Sequence, residues 1–525
     1  MKYPIGIQSF EQIIEDGYVY LDKTALVYDL VTNGKIYFLS RPRRFGKSLL
    51  VSTLKCYFEG KKELFKGLAI DKLEKEWKQY PVFHLSFGGQ NFVEPYALDK
   101  VLEEFVAMAE RIYGREELAE TLGSRFKAVL GNAHKKTGMR AVVLIDEYDK
   151  PLLDVMDMDI SVQNEYGKMT LEDYNRNLLK GVYSVFKEAD DDLQFVLLTG
   201  VTKFSQVSVF SGFNQPNDIS MDEHYEALCG ITEDELYSTF DEQIKAMAVR
   251  YKTTEEGMKY KLKRKFDGYH FSPNMLDIYN PFSILNALSK KILADYWFRT
   301  GSPTYLVRLL SHFDENINEM VNRFYPTSSF IDYKADVEAP LPMIYQSGYL
   351  TIKAYDKEVC LYTLQFPTDE VCYGFLNFLV PFYTKVTDDE TGFHIAKFMR
   401  ELKSGDVEAF MERLKIFFSG IPYELSDDTE RHYQVIFHVV FTLLGQFIRS
   451  EVRSSRGRAD AVVHTPTAIY VFEFKLDGTA DAALKQIDEK GYLIPYTLDG
   501  RKLVKVGVNF SKETRNIDEY IVVEE

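Results

Sequence analysis

The chain has 525 residues, 46% hydrophobic and 27% charged, with 63 basic against 79 acidic side chains and a formal net charge of −16. That length reads as about two to four domains with true cores, and the composition excludes disordered, fibrous and staple-dependent small scaffolds. The acidic balance argues against a non-specific coat on nucleic acid or anionic membrane, so any nucleic-acid contact must come from local basic patches.

From the amino terminus, MKYPIGIQSF lacks the charged-then-apolar build of a signal peptide, and export is not expected. Continuous apolar runs then recur at Ile36 to Leu39, Val82 to Phe87, Ala141 to Ile145 and Phe195 to Leu198, separated by stretches of helical character. Runs buried on both faces and spaced by helices predict a parallel sheet in an α/β layer fold over residues 1–240. The stretch from Ile231 to Leu310 loses these runs and reads as helix-rich, giving a helical subdomain over 241–312. Residues 313–403 are mixed and are assigned to a connector. The last part, 404–525, opens with an apolar helix from Tyr433 to Ile448. It continues with strands Asp460 to His464 and Ile469 to Leu476, a helix Ala480 to Lys490 and a strand Leu503 to Phe510, the order of a small α/β domain.

No apolar run reaches membrane-spanning length; the longest candidate, Val435 to Ile448, is interrupted by His438, Thr442 and Gln446. No membrane association is expected. The four cysteines, Cys56, Cys229, Cys360 and Cys372, are far apart and form no CxxC pair, and no histidine spacing builds a zinc site. A reducing cytoplasm is the expected location.

The first chemical constellation follows the first apolar run: Ser40-Arg41-Pro42-Arg43-Arg44-Phe45-Gly46-Lys47-Ser48, then a helical pattern from Leu49. Strand, tight loop, Gly-Lys-Ser and helix is the context of a phosphate-binding loop. Gly46 lets backbone N–H groups curl round a phosphate, Lys47 supplies a point charge, and Ser48 offers a hydroxyl to Mg²⁺. Arg43, Arg44, Phe45 and Leu49 complete the candidate ATP-binding loop. Arg41 stands where G-x-x-x-x-G-K-[ST] has its first glycine. Some hundred residues on, the run Val142 to Ile145 ends in Asp146 and Glu147. There Asp146 suits the Mg²⁺ shell, and Glu147 suits orienting and deprotonating an attacking water. Thr199, at the end of a third run, suits either a γ-phosphate sensor or a cap on the following turn.

The second constellation is Glu451, Gly457-Arg458-Ala459-Asp460, Glu473-Phe474-Lys475 and Gln486. Side chains two apart on a strand share a face, so Glu473 and Lys475 project together while Phe474 turns into the core. Asp460 and Glu473 form a carboxylate pair suited to Mg²⁺, Lys475 suits orienting the attacking water, and Glu451, expected at the end of the preceding helix, adds a third acid. Arg449, Arg453, Arg456 and Arg458 cluster here and suit either phosphate binding or a solvated face. The run Lys259 to Lys265 reads more readily as a solubilising helix face.

Over roughly residues 1–240, RPRRFGKS, LIDEYDKPL, YLDKT (Tyr20 to Thr24) and TGVTKFSQVSVFSGFNQP resemble the bacterial AAA-ATPase-like family, whose loop usually has Arg at the first-glycine position. The resemblance implies an ATP-binding, ASCE-type P-loop core, carried here by Gly46, Lys47, Ser48, Asp146 and Glu147. GRADAV, IYVFEFKL and ALKQIDEKGY resemble the PD-(D/E)XK nuclease superfamily, and more closely the nuclease-like domain that follows the ATPase in many members of the same bacterial family. That implies a Mg²⁺-dependent nuclease site at Asp460, Glu473 and Lys475, with Glu451 and Gln486 in support. The expectation is an ATPase coupled to a nuclease that cleaves DNA in bacterial defence or mobile-element control, either as a homo-oligomer or with a regulatory protein partner. The rival expectation is an ATP-controlled nucleic-acid-binding or signalling protein whose nuclease fold does not turn over.

Overall fold

The structure, a computed structural model, describes residues 1–156, 158–164, 167–204, 216–298, 320–321, 323–331, 340–383, 388–419, 436, 439–441, 443, 449–452 and 459–525. The chain gathers into two compact units, one of Met1–Asp314 with Asn322–Thr368, the other of Glu315–Val321 with Asp369–Glu525. Residues expected to form a connector are therefore shared out, 322–368 joining the first unit and 315–321 and 369–403 the second.

In the first unit the apolar runs form the strands β1 (Ile36–Ser40), β2 (Val82–Ser86), β3 (Ala141–Asp146) and β4 (Leu193–Gly200), with a short β5 (Asn217–Asp218). They pair in parallel in the order β2-β3-β4-β1-β5. Every residue of β3 is buried, as expected of a strand covered on both faces. Register places Ser40 opposite Gly200, and Ser86 opposite Asp146. The carboxyl ends of four strands thus meet at one edge, where open α/β sheets hold their ligands. Helix α1 (Lys47–Phe58) leaves β1 through the Gly-Lys-Ser loop.

The helix-rich region folds as α2 (Glu233–Arg250), α3 (Glu255–Phe266) and α4 (Pro281–Lys290), closed round Leu236, Phe240, Ile244, Met258, Leu262 and Ile284. Thr232 and Thr254 cap α2 and α3 by accepting from Glu235 N and Gly257 N, and Asn280 caps α4 ahead of its first-position proline. The basic run lies on α3 and is largely matched: Lys259 meets Glu255 at 2.7 Å, Lys263 meets Asp277 at 2.9 Å, and Lys265 pairs with Asp295. An antiparallel sheet of β6 (Phe324–Pro326), β7 (Thr351–Asp356) and β8 (Leu361–Gln365) completes the unit, with β8 central.

The second unit opens with helices Asp369–Tyr383, Asp388–Ser404 and Val407–Ser419. Its sheet has the strands β9 (Arg449–Val452), β10 (Ala461–His464), β11 (Ala468–Leu476), β12 (Lys502–Ser511) and β13 (Asn516–Glu524), paired in that order. Only β11 and β12 run parallel, joined through α5 (Ala480–Glu489). One face buries Phe472, Val506, Val508 and Phe510, and the other buries Val471 and Ile469 against Ile487 of α5. Gly507 permits that second packing: a Cβ there would stand 2.4 Å from Ala480 O and 2.8 Å from Leu484 Cγ.

One expectation is corrected. Glu451, expected at a helix end, lies instead on β9, opposite Val462 of β10 in an antiparallel pair. Pairing with β10 selects the strand over continuation of the helix. Arg453, Arg456, Arg458, His438 and most of the expected helix from Tyr433 to Ile448 lie outside the described residues, as does 205–215 within the TGVTKFSQVSVFSGFNQP motif. Among the described residues no helix is long and apolar enough to cross a membrane.

Candidate phosphate-chemistry sites

The loop after β1 turns on two left-handed residues, Arg44 (φ 67°) and Gly46 (φ 96°), the second acting as the N-cap of α1. Gly46 takes this conformation without steric cost, which frees the helix N-terminus for an anion. Arg41 does not adopt a positive φ, so the first-glycine position tolerates a side chain here. Lys47 is 7% exposed, and its ammonium donates to Arg41 O at 2.8 Å and Pro42 O at 3.0 Å. Burial pulls the Lys47 ammonium below its ordinary pKa, and the Asp146 and Asp149 carboxylates oppose that shift. Ser48 follows in the first turn of α1.

Side chains from other elements hold the loop. The Trp297 indole donates to Arg43 O at 3.0 Å, the Arg44 guanidinium lies 5.1 Å over the Phe282 ring, and Gly230 N donates to Phe45 O at 3.0 Å. Phe45 is fully buried, edge-on to Tyr269 and Phe271. Beside it opens a largely apolar cavity of about 110 Å³, lined among others by Tyr20, Lys23, Phe45, Gly46, Leu49 and Cys229.

At the end of β3, Asp146 is 4% exposed, and its Oδ1 accepts from Thr199 Oγ1 at 2.6 Å and from Glu147 N at 3.1 Å. The Thr199 hydroxyl thus reaches across to the neighbouring strand's carboxylate. Glu147 takes a left-handed φ of 55°, a conformation sparsely populated by residues other than glycine. Its Oε2 stands 3.2 Å from where a Cβ on Gly88 would be, so the turn after β2 leaves that carboxylate its room.

Sequence reasoning passes over Asp149 and Tyr148, the next residues of LIDEYD. Asp149 is 1% exposed, and its Oδ2 accepts from Val201 N at 2.9 Å and Thr202 N at 2.6 Å. Burial raises its carboxyl to about 6 against those bonds and the Lys47 charge. The Tyr148 hydroxyl donates to Thr202 O at 2.8 Å and accepts from Phe204 N at 3.1 Å. Together they lock the end of β4, and so Thr199, to the end of β3. The signal that points to them is a second aspartate three residues after the first at the end of a fully apolar strand.

In the second unit, Glu473 and Lys475 project from the same face of β11, and α5 brings Gln486 over them. Gln486 Nε2 donates to Glu473 Oε1, and Lys475 Nζ donates to Gln486 Oε1 at 2.5 Å while standing 3.5 Å from Glu473 Oε1. Asp460, just before β10, accepts from Phe474 N at 2.9 Å. Glu473 is 2% exposed, and its second oxygen, Oε2, is buried with no hydrogen-bond partner among the described residues. Burial, reinforced by the Asp460 charge, raises the Glu473 carboxyl to about 7. Two carboxylates with one orphaned oxygen match the chemistry of Mg²⁺, which takes one or two carboxylates and keeps several waters. Among the described residues no group of three or more acids, histidines or cysteines gathers as a metal centre. The Tyr492 hydroxyl, 3.5 Å from Gln486 Nε2, and Asn509, which accepts from Gly478 N at 2.8 Å in the turn after β11, are neighbours that the motif alone does not single out.

Comparison with known proteins agrees with this division. The family described as predicted AAA-ATPase matches residues 4–210, and the PD-(D/E)XK nuclease superfamily matches residues 428–520. A protein of Azotobacter chroococcum mcd 1, described as an uncharacterized protein in the vnfD 5′ region, is 32% identical over 544 residues, spanning 99% of this chain and 98% of its own length. Among solved structures, the Aeropyrum pernix ORC2 protein in its ADPNP-ADP complexes is similar at 11% identity over 69% of this chain and 96% of that one, with a TM-score of 0.25 that bears no weight on the fold. With the parallel sheet and its Gly-Lys-Ser loop in one unit, the acid and acid-x-Lys site in the other, and a relative matched end to end, the chain belongs to the predicted AAA-ATPase family and carries a PD-(D/E)XK nuclease-superfamily domain toward the carboxyl terminus.

Proposed function

We propose that this protein binds and hydrolyses ATP in its first unit and cleaves DNA with Mg²⁺ in its second, nucleotide state licensing cleavage in bacterial defence or mobile-element control. The observation that carries the nuclease reading is the Glu473 Oε2 atom, buried without a partner among the described residues and close to the Asp460 and Lys475 charges. An orphaned carboxylate oxygen costs free energy in the resting fold, and a divalent cation removes that cost.

In the first unit, Gly46 and the N–H groups at the start of α1 bind phosphate oxygens, and Lys47 exchanges its two carbonyl partners for them. Ser48 and Asp146 hold Mg²⁺, Thr199 fixes the Asp146 carboxylate, and Glu147 takes a proton from the attacking water. Arg43 and Arg44, both exposed, stand ready beside the phosphates. The apolar cavity beside Gly46 suits a planar base. In the second unit Asp460 and Glu473 hold Mg²⁺, which supplies Lewis-acid polarisation of the scissile phosphate. Lys475 orients the attacking water and offsets developing negative charge, and Gln486 holds Lys475 and Glu473 in register. Glu451, on β9, is the nearest further acid by topology. The chain acts in the cytoplasm without a membrane, alone, as a homo-oligomer or with a regulatory partner.

The test is supercoiled plasmid with Mg²⁺ and ATP, using wild type, Lys47→Ala and Glu473→Ala. Nicking abolished by Glu473→Ala with ATP hydrolysis intact, and altered by Lys47→Ala, is the expected result. Nicking that survives Glu473→Ala removes the assigned site.

A further inference from the structure

The turn that follows β11 lies against the lysine of the second-unit site. An ammonium on a flexible four-carbon stem has many rotamers open to it. Lys475, with its side chain 28% exposed, nevertheless holds Nζ 2.5 Å from Gln486 Oε1 and 3.5 Å from Glu473 Oε1. Gly478 narrows that choice. A Cβ on Gly478 would stand 3.0 Å from Lys475 Cβ and 3.5 Å from its Cγ, so the backbone of the turn packs on the lysine stem with no room for a methyl group.

The turn has little packing of its own, since Asp477, Gly478 and Thr479 are all exposed. Bonds to the two strands beyond β11 set its place. Asp477, in a left-handed conformation (φ 50°), donates its N–H to Phe510 O at 2.8 Å and accepts at Oδ1 from Lys512 N at 2.8 Å. Gly478 N donates to Asn509 Oδ1 at 2.8 Å, and Ala480 N, at the start of α5, donates to Glu519 Oε2 at 3.1 Å. Register puts Lys475, Asn509 and Glu519 side by side on β11, β12 and β13. Of these anchors only Asn509 bonds the residue that touches the lysine stem. Asn509 is 5% exposed, so the acceptor of that bond lies out of water, where a hydrogen bond is electrostatically stronger.

We propose that Asn509 is a positioning residue for Lys475: its side-chain oxygen pins the Gly478 amide, Gly478 confines the lysine stem, and the confined stem delivers the ammonium to Gln486 and Glu473. The consequence for turnover rests on the nuclease reading above, whereas the placement of the lysine does not.

The experiment compares the full chain as wild type, as Asn509→Leu, which keeps the size and removes the acceptor, and as Asn509→Asp, which keeps an oxygen for Gly478 N. Amines are acylated with a limiting reagent, and mass spectrometry reads modification of Lys475 as a ratio to the exposed Lys485 and Lys502 of the same chain. Asn509→Leu should raise that ratio about threefold, because the freed amine leaves Gln486. Asn509→Asp should hold it at or below the wild-type value, because the added charge favours the protonated amine. An unchanged ratio in Asn509→Leu, or an equal rise in Asn509→Asp, overturns the proposal. A general loosening of the fold exposes all three lysines together, leaves the ratio flat and overturns it as well. In plasmid nicking, Asn509→Leu should lower turnover about tenfold while the half-saturating Mg²⁺ and plasmid concentrations stay in place. A wild type that does not nick refutes the nuclease reading alone, and the acylation ratio then decides the role of Asn509 by itself. Should Asn509→Leu fail to fold, Gly478→Ala probes the same contact from the other side. Its methyl group must displace the stem and raise the ratio, and a ratio at the wild-type value overturns the proposal.

Discussion

Asp149→Asn isolates the cost of a buried charge at the junction of β3 and β4. The wild-type carboxyl is 1% exposed and raised from 3.8 to about 6 by burial. A carboxyl whose folded-state pKa is raised binds its proton more tightly in the folded state. Its stabilising contribution is therefore complete below the unfolded value of 3.8 and is lost as pH rises through about 6. The difference of about 2.2 units corresponds to about 3 kcal/mol over the whole window, of which about 1.4 kcal/mol falls between pH 5 and 7.5. Asparagine keeps an oxygen for the Val201 and Thr202 N–H groups and cannot ionise. Chemical unfolding of the first unit, followed for both proteins across this range, should show the variant gaining on wild type by that amount as pH rises. A stability difference that stays flat from pH 5 to 7.5 would refute the reasoning, because Asp149 would then ionise as freely folded as unfolded, with the Lys47 charge fully offsetting its burial.

Thr199→Val removes the hydroxyl that Asp146 Oδ1 accepts from at 2.6 Å; a loss of about 1–3 kcal/mol in stability is expected by thermal unfolding, with ATP turnover falling at least tenfold and nucleotide binding retained. In the second unit the proton on Glu473 competes with Mg²⁺, so Mg²⁺ affinity measured by calorimetry should fall about tenfold for each pH unit below about 7 and level off above it. Glu473→Gln should abolish that slope; a slope that persists would place the competing proton elsewhere.

The parts of these sites that sequence discloses are those where one short stretch sets both structure and chemistry. An apolar run, a loop and Gly-Lys-Ser specify β1, the turn and α1 together, and the two-residue period of Glu473 and Lys475 sets their shared face without help from the rest of the fold. Gln486 is legible because a single helix joins the paired parallel strands. What escapes depends on distant partners. Asp149 looks like one more surface acid until β4 arrives to bond it, and Arg41 shows only as a departure from the loop's first glycine until Ser220 and Phe271 enclose it. Glu451 reads as a helix end because the apolar pattern ahead of it is helical, whereas its strand exists only through pairing with β10, which no local pattern announces.

On the proposed nucleotide-binding reading, the two carbonyl bonds of the Lys47 ammonium bear on selectivity. With its loop already satisfied, this cradle is a closed latch rather than an open socket, and ligand entry becomes an exchange in which two acceptors must be bettered. A lone anion that offers one good oxygen gains little by that exchange. A chain of linked phosphates, presenting several oxygens to the lysine and the α1 amides at once, gains at every point, so the resting bonds act as a threshold against weak competitors in the cell's anion pool.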